Sequence, residues 1–150
     1  MKNESILIEN KKAKMRYSII ETFSAGIELL GSEVKSLRTK HGSLDGARVV
    51  VRAGEAFVVG MTIPPYQGAS LKDYDDARTR RLLLSKKEIA ELADAESKKG
   101  LTIVPFEVYN NRHVKVRIGI VRGKSKVDRR EDIKAQDAKR EASRVLKRKI

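Results

Sequence analysis

A chain of 150 residues, of which 40% are apolar and 35% are charged, is long enough for one domain with a modest hydrophobic core. It has no cysteine, which excludes disulfides, thiolate metal sites and cysteine nucleophiles and fits the cytoplasm, and no run approaches the roughly 18 apolar residues of a membrane-spanning helix. The net charge of +13 favours a polyanionic partner, above all nucleic acid, with a basic surface that only maintains solubility as the alternative.

The first half of the chain predicts three strands and a short helix. Lys14–Phe23 has the composition of a strand. Leu30, Val34 and Leu37 then recur at helical spacing, with Ser32 as the expected N-cap. The next two strands are predicted at 48–52 and 55–60, joined by a tight Ala53-Gly54 turn.

The second half predicts three more strands and a second helix. A strand at 82–84 precedes Ser85 and Glu88, which have capping-box spacing, and Gly100 ends the helix that follows. Strands at 101–109 and 113–121 flank an Asn110-Asn111 turn. In the last strand, apolar residues alternate with Lys115 and Arg117, so one face is expected to meet the core and the other solvent or a polyanion. About six strands with short connections favour a small closed antiparallel β-barrel.

The C-terminal segment differs from this body. Residues 122–150 hold twelve lysines and arginines against five acids, a net charge of +7, which leaves +6 for the first 121 residues. We therefore expect a flexible N-terminus at 1–9, a folded body at 10–123 and a basic tail at 124–150. Its apolar stripe is thin, so we predict a tail that is disordered alone and becomes helical on a negatively charged partner; the stripe consists of Ala135, Ala138, Ala142, Val145 and Leu146.

Patterns for catalysis, metals or cofactors are missing or incomplete. His41 and His113 lie far apart with no cysteine between them. Gly123-Lys124-Ser125 resembles the end of a P-loop, but the earlier glycine position holds Ile118. The sequence therefore indicates a binding protein that needs no cofactor.

Two charged clusters each allow two interpretations. Glu33 can pair with Lys35 and Arg38 on a helix surface, or its carboxylate can accept hydrogen bonds from base amino groups. The arginines in the segment 78–81 precede three leucines and can either contact unstacked bases or form a solvated rim around a leucine core.

Several ordered blocks resemble the SmpB family of SsrA-binding proteins, the protein partners of transfer-messenger RNA (tmRNA). The blocks are Asn10-Lys11-Lys12-Ala13, Gly31-Ser32-Glu33-Val34-Lys35-Ser36-Leu37-Arg38, Arg78-Thr79-Arg80-Arg81-Leu82-Leu83-Leu84, Asp128-Arg129-Arg130-Glu131 and Asp137-Ala138-Lys139-Arg140-Glu141. The resemblance implies an OB-like six-stranded antiparallel barrel with helices on its rim. It also implies binding to the tRNA-like domain of tmRNA, and entry of the complex into the empty A site of a stalled ribosome. Elongation factor Tu and alanyl-tRNA synthetase are implied as partners through the RNA; no membrane partner is expected.

The resemblance and the charge pattern together define two groups of candidate residues. The RNA-binding group is Asn10, Lys11, Lys12, Ser24, Ala25, Gly26, Glu33, Lys35, Arg38, Arg78, Arg80, Arg81, Leu83, Ser85 and Lys124, with Ser24 to Gly26 expected in a turn before the first helix. The group expected in the decoding centre and the vacant mRNA channel is Val127, Asp128, Arg129, Arg130, Lys134, Lys139 and Arg140.

Three positions depart from the usual family pattern. Ser24 stands where glutamate is usual, Ser85 where histidine or asparagine is usual, and Val127 where histidine or tyrosine is usual. Valine lacks a ring that stacks on a base in the decoding centre. The rival interpretations are a ribosomal or ribosome-assembly protein and an RNA-processing enzyme. The former explains the charge equally well but not the ordered blocks.

Overall fold

The computed structural model describes residues 5–66 and 74–123, which form seven strands and three helices. In chain order these are β1 (Ser5–Glu9), α1 (Lys11–Arg16), β2 (Tyr17–Ile27), α2 (Gly31–Arg38), β3 (Arg48–Arg52), β4 (Glu55–Val59), β5 (Arg80–Leu83), α3 (Lys86–Ser97), β6 (Leu101–Asn111) and β7 (His113–Gly123). None of the helices in these two ranges has the length and apolar character needed to cross a membrane.

All the strands join one antiparallel sheet in the order β1-β6-β7-β2-β5-β4-β3. Register shifts in the β1–β6, β6–β7 and β2–β7 pairs mark bulges, which increase local twist and let the long strands curl. The prediction of a mainly β, OB-like fold is confirmed. The expected closed barrel is not formed by the strand ladder, because β1 and β3 end the order and no described pairing joins them.

The main core lies inside the curled sheet and under two of the helices. Leu37 of α2 and Leu92 of α3 are fully buried there with Val58, Ile103 and Ile118. Helix α3 also covers the free edge of β3, where the Val51 N–H donates to Glu96 Oε2 at 2.9 Å. Satisfying an edge donor in this way limits pairing with another chain.

A second, smaller cluster lies on the other face of β6 and β7. Ala13 of α1 packs there with Val104, Phe106 and Val121, and Tyr17 covers its margin. Gly119 belongs to this arrangement, since a Cβ at that position would lie 2.5 Å from Phe106 Cε2. The alternation predicted for the last strand is therefore confirmed only as far as Arg117, because beyond it both faces are covered.

The N-terminal part of the body differs from the sequence-based prediction. Strand β1 lies within the segment expected to be a flexible N-terminus and pairs with β6. Residues 11–16 form α1, so the first predicted strand begins at Tyr17 and not at Lys14. Helix α2 is capped by Leu30, whose N–H donates to Glu33 Oε1 at 2.8 Å, and the expected Ser32 cap is wrong.

The local turn and cap predictions are confirmed at two of three places. Ala53 and Gly54 join β3 to β4 with φ angles of 52° and 74°, as a two-residue hairpin turn requires. Ser85 accepts a hydrogen bond from the Glu88 N–H at 3.2 Å, and the Ser85 N–H donates to Glu88 Oε1 at 3.0 Å. The third prediction is wrong, because α3 ends at Ser97 with Lys98 as its C-cap, and Gly100, with a φ of 85°, lies in the turn that leads into β6.

Candidate nucleic-acid interface

The outer face of β2 and β5 brings together residues that are far apart in sequence. Gly26 pairs directly with Leu83, so the two strands align the segment before α2 with the segment before α3. Strand alternation turns Ala25 inward, whereas Ser24, Arg81 and Leu83 are exposed. These three side chains share one surface with the bare backbone of Gly26.

The absence of a side chain at Gly26 decides how Leu83 lies on this surface. A Cβ on Gly26 would meet Leu83 Cβ at 3.2 Å and Leu83 Cδ1 at 3.3 Å. Leu83 therefore packs across the backbone of β2 while keeping an exposed fraction of 47%. An exposed apolar side chain beside cations is a surface on which an unstacked base can pack.

Strand β7 extends the same face with two more cations. Ser24 pairs with Arg117, and Gly26 pairs with Lys115. The Arg117 guanidinium lies over the ring of Tyr109, with Cζ 4.5 Å from its centroid, and forms an ion pair with Glu107. The sequence-based list of RNA-binding residues omitted Lys115 and Arg117, although their alternation along β7 had indicated a face turned to solvent or a polyanion.

Beneath the edge of this face, Glu33 of α2 is buried, with an exposed fraction of 1%. Arg78 Nε donates to Glu33 Oε2 at 3.0 Å, and its Nη2 donates to Oε1. Arg80 Nε and Nη2 donate to Oε2 at 3.0 and 2.7 Å. One carboxylate thus joins α2 to the segment that enters β5.

Arg80 is itself fully buried, with an exposed fraction of 0%. Its remaining N–H groups donate to the carbonyl oxygens of Met61 at 2.7 Å, Arg78 at 3.0 Å and Asp76 at 3.0 Å. Together with the bonds to Glu33, these contacts use all five donors of the guanidinium. Such a side chain is a structural brace with no donor left for RNA.

Electrostatics in this network favour the ionised carboxylate. Burial by itself raises the pKa of Glu33, but hydrogen bonds from Arg78, the Leu30 N–H and Arg80 outweigh it and lower the pKa from 4.5 to about 2. Hydrogen bonding to Glu33 raises the pKa of Arg78. The Tyr74 hydroxyl, 2.6 Å from the Ile63 carbonyl oxygen and 3.2 Å from Glu33 Oε2, has a raised pKa because of burial and the nearby carboxylate.

A family model described as SmpB protein matches residues 7–148. The chain belongs to the SmpB family. A protein named SsrA-binding protein from Persephonella marina is 47% identical over 146 residues, which cover 97% of this chain and 96% of that protein. One of the same name from Gloeobacter violaceus is 41% identical over 148 residues and covers 98% of this chain and 97% of its own length.

A solved structure described as "tmRNA-SmpB: a journey to the center of the bacterial ribosome" superposes on this chain with a TM-score of 0.69. The two sequences are 40% identical, and the match covers 81% of this chain and 87% of that one. Both the family resemblance and the OB-like, mainly β architecture expected from the sequence are thereby confirmed.

Four side chains of the predicted RNA-binding group lie in the interior of the folded body. Glu33 and Arg80 pair with each other, so both interpretations that placed Glu33 at the surface are wrong. Asn10 caps α1 and donates to the carbonyl oxygens of Leu44 and Pro105 at 3.2 and 3.0 Å. Ala25 faces the core from within β2; the segment from Ser24 to Gly26 is part of that strand and not a turn.

The exposed members of the group occupy two separate regions. Lys35 and Arg38 lie on the outer side of α2, with Lys35 Nζ 5.8 Å from the centroid of the Tyr66 ring. Lys11 and Lys12 lie on α1, next to the beginning of β2, whereas Gly26 is nine residues of extended strand further on, roughly 30 Å. These two lysines therefore do not join the Gly26–Leu83 surface.

The other predicted residues are accounted for as follows. Ser85 is exposed at the N-terminus of α3, where its hydroxyl already caps Glu88. Arg78 is half-buried against Glu33. Lys124 and the tail residues Val127, Asp128, Arg129, Arg130, Lys134, Lys139 and Arg140 lie outside the described residues. Within the described ranges, no cluster of three or more histidine, aspartate or glutamate side chains is arranged to hold a metal ion.

Proposed function

We propose that this protein is an RNA-binding factor of trans-translation, which binds the tRNA-like domain of tmRNA and delivers it to the A site of stalled ribosomes. Membership of the SmpB family supports this proposal, as does the similarity to a structure described as tmRNA–SmpB on the bacterial ribosome. The observation that carries it at the level of the molecule is the outer face on which Gly26 and Leu83 adjoin Arg81, Lys115 and Arg117.

The arrangement suits structured RNA in two ways. Arg81, Lys115 and Arg117 place positive charge where phosphates of a folded RNA can approach, and such contacts account for most of the affinity. Leu83 supplies an apolar surface for a base that is splayed out of the stack, as in the loops that proteins read in RNA. The Glu33–Arg80 pair is buried beneath this surface and fixes the position of α2 relative to β5.

The remaining roles follow from the family resemblance and belong to the same proposal. The tail at 124–150 enters the decoding centre and the vacant mRNA channel, where its cations contact ribosomal RNA. Elongation factor Tu and alanyl-tRNA synthetase act on the same RNA complex in the cytoplasm. The protein itself binds and positions the RNA and catalyses no reaction.

The test is a salt titration of binding to tmRNA and to an unrelated structured RNA of equal length. We expect a preference for tmRNA that persists at physiological salt. Equal affinities that collapse together as salt rises contradict the proposal and favour a ribosomal or ribosome-assembly protein, which stable retention on ribosomal subunits in high salt would then support.

Single arginine variants refine the titration. Arg81 is exposed, so Arg81→Ala is expected to weaken binding to tmRNA and to reduce the magnitude of the salt slope by about 1, the contribution of one phosphate contact. The matched control is Arg52→Ala, an exposed arginine on the β3–β4 hairpin, which should leave the preference for tmRNA unchanged. Arg80→Ala should act instead through stability, because Arg80 is buried.

A further inference from the structure

An apolar surface at the beginning of β2, outside the Gly26–Leu83 surface, is unexplained by the proposed function. Ile19 and Ile20 have exposed fractions of 51% and 52%, the largest among the bulky apolar side chains that the structure describes. They lie where the β2–β7 register shifts between Ile19 and Glu21, so Ile20 is the extra residue of a bulge.

Ile20 forms one wall of a groove between β2, β7 and the C-terminal half of α3. The groove has a volume of about 210 Å³, and Ala95, Leu101 and Ile120 supply its other apolar lining. The small Ala95 side chain keeps the α3 wall low, and a volume of about 210 Å³ has room for a few small apolar side chains of an approaching segment.

The polar rim of this groove is acidic, although the chain as a whole carries +13. Its charged residues are Glu21, Glu91 and Asp94 against Lys98, a net charge of −2. Asp94 pairs with Lys98 at 3.2 Å, whereas Glu21 and Glu91 form no ion pair with any residue in the described ranges. Such a rim repels RNA and attracts a basic polypeptide.

We propose that the occupant of this groove is the chain's own C-terminal segment, residues 124–150. It carries eleven lysines and arginines against five acids, which complements the rim. Its small apolar residues recur at helical spacing, as at Ala135, Ala138 and Ala142, and suit a shallow apolar groove.

The residues that link β7 to this segment, the tether, are long enough to allow the contact. Strand β7 ends at Gly123, three residues or roughly 10 Å beyond Ile120 of the groove. The residues between Gly123 and Ala135 span up to roughly 40 Å when extended, which is enough to turn back along α3. A short tether gives an effective concentration in the millimolar range, so a weak contact suffices. The docked segment is withheld from unrelated RNA until a partner with more negative charge displaces it.

Paramagnetic relaxation enhancement in the full chain tests the proposal. The chain has no cysteine, so Ala93→Cys, an exposed position on α3 one residue before Asp94 of the groove, gives a single site for a nitroxide label. The label is expected to broaden backbone amide signals of residues 135–146 selectively. Glu91→Lys with Asp94→Lys should abolish the broadening. Glu9→Lys with Asp45→Lys, an equal change of charge at β1 and at an exposed acid that pairs with Lys12, should not.

Each alternative result overturns the proposal. Equal broadening in all three proteins means that the tether alone brings the segment near the label, and absence of broadening means that the segment stays away. If spin-labelled chains in a mixed sample instead broaden the signals of isotope-labelled chains that carry no spin label, the groove is occupied by a second copy of the chain. Body amide spectra of each variant verify that the fold is retained, so that loss of broadening is attributable to the groove.

Discussion

At the scale of single residues, the sequence block that forms α2 is organised around one buried carboxylate, that of Glu33. Glu33 receives hydrogen bonds from Arg78 and Arg80, which lie 45 and 47 positions later in the chain. These hydrogen bonds hold the two guanidinium groups and the carboxylate in fixed positions relative to one another. The role of the block is therefore structural at its centre, and only its outward side chains Lys35 and Arg38 are available to RNA.

Replacement of Glu33 by glutamine is expected to destabilise the fold by about 3–5 kcal/mol, because it leaves buried guanidinium charge without its counter-ion. The measurement is urea unfolding at neutral pH. Glu28→Gln is the control, since Glu28 is exposed and its pair with Arg81 is worth at most about 1 kcal/mol. Similar losses of stability in Glu33→Gln and Glu28→Gln would contradict the structural role of the buried Glu33 ion pair.

The pH dependence of the same contact has a definite sign. The folded-state pKa of Glu33 is depressed from 4.5 to about 2, so its contribution is present above about pH 4.5 and is lost as pH falls towards 2. That contribution is about 3 kcal/mol. We expect the stability difference between the wild type and Glu33→Gln to shrink across this window in acid unfolding measurements; a constant difference would rule out this linkage.

Gly26 is the second residue whose identity matters for the surface. Gly26→Ala places a Cβ 3.2 Å from Leu83 Cβ and should displace that side chain, weakening tmRNA binding about tenfold if a base packs there. Stability should change by less than about 1 kcal/mol, because alanine fits a strand better than glycine. Gly31→Ala is the control, as nothing lies within 4 Å of its added Cβ. If binding titrations showed that Gly26→Ala and Gly31→Ala change tmRNA affinity equally, the proposed role of Leu83 would be contradicted.

At the scale of elements, the N-terminus of α3 places one candidate side chain. Helix α3 begins directly after β5, so its cap residue Ser85 lies two positions beyond Leu83 and close to the proposed RNA-binding face. The Ser85 hydroxyl is occupied by the Glu88 N–H. Ser85 therefore acts first as the N-cap of α3, and its short side chain is held close to the helix end.

Substitutions at Ser85 should separate capping from RNA contact. Ser85→Ala is expected to cost about 1 kcal/mol, whereas Ser85→Asn preserves a cap and should leave the stability within about 0.5 kcal/mol. The longer asparagine should also bind tmRNA more tightly than the alanine variant. Thermal unfolding and binding titrations provide both readouts, and an equal loss of stability in the two variants would refute the capping argument.

At the scale of the whole molecule, the proposed function assigns different roles to the body and to the C-terminal segment. The body supplies a shaped surface with a buried ion pair beneath it, and the segment 124–150 supplies +6 of the net charge of +13. Phosphate contacts are additive and sensitive to salt, whereas recognition of a particular RNA shape needs the rigid body.

Truncation after Gly123 is expected to lower affinity at low salt for every RNA while preserving the preference for tmRNA, and to abolish tagging of stalled products. Competitive binding in mixed RNA and a translation-coupled tagging assay measure the two outcomes. The full chain bearing Arg52→Ala serves as a control for loss of a single charge in the body. If truncation removed the preference itself, recognition would reside in the segment.

Features that depend on neighbouring residues were predictable from the sequence. The Ala53-Gly54 turn and the Ser85–Glu88 box each arise from a few consecutive side chains and the backbone angles they permit. The ordered blocks also determined the family, because their types and order are properties of the chain alone.

The burial of charge and the composition of the binding face were decided by tertiary structure alone. Glu33 and Arg80 look like surface residues in sequence and become a buried pair only because α2 packs against the beginning of β5. Lys115 joins Gly26 and Leu83 because β7 and β5 flank β2 from opposite sides. Such proximity depends on strand pairing across dozens of residues, which local patterns of charge and hydrophobicity do not encode.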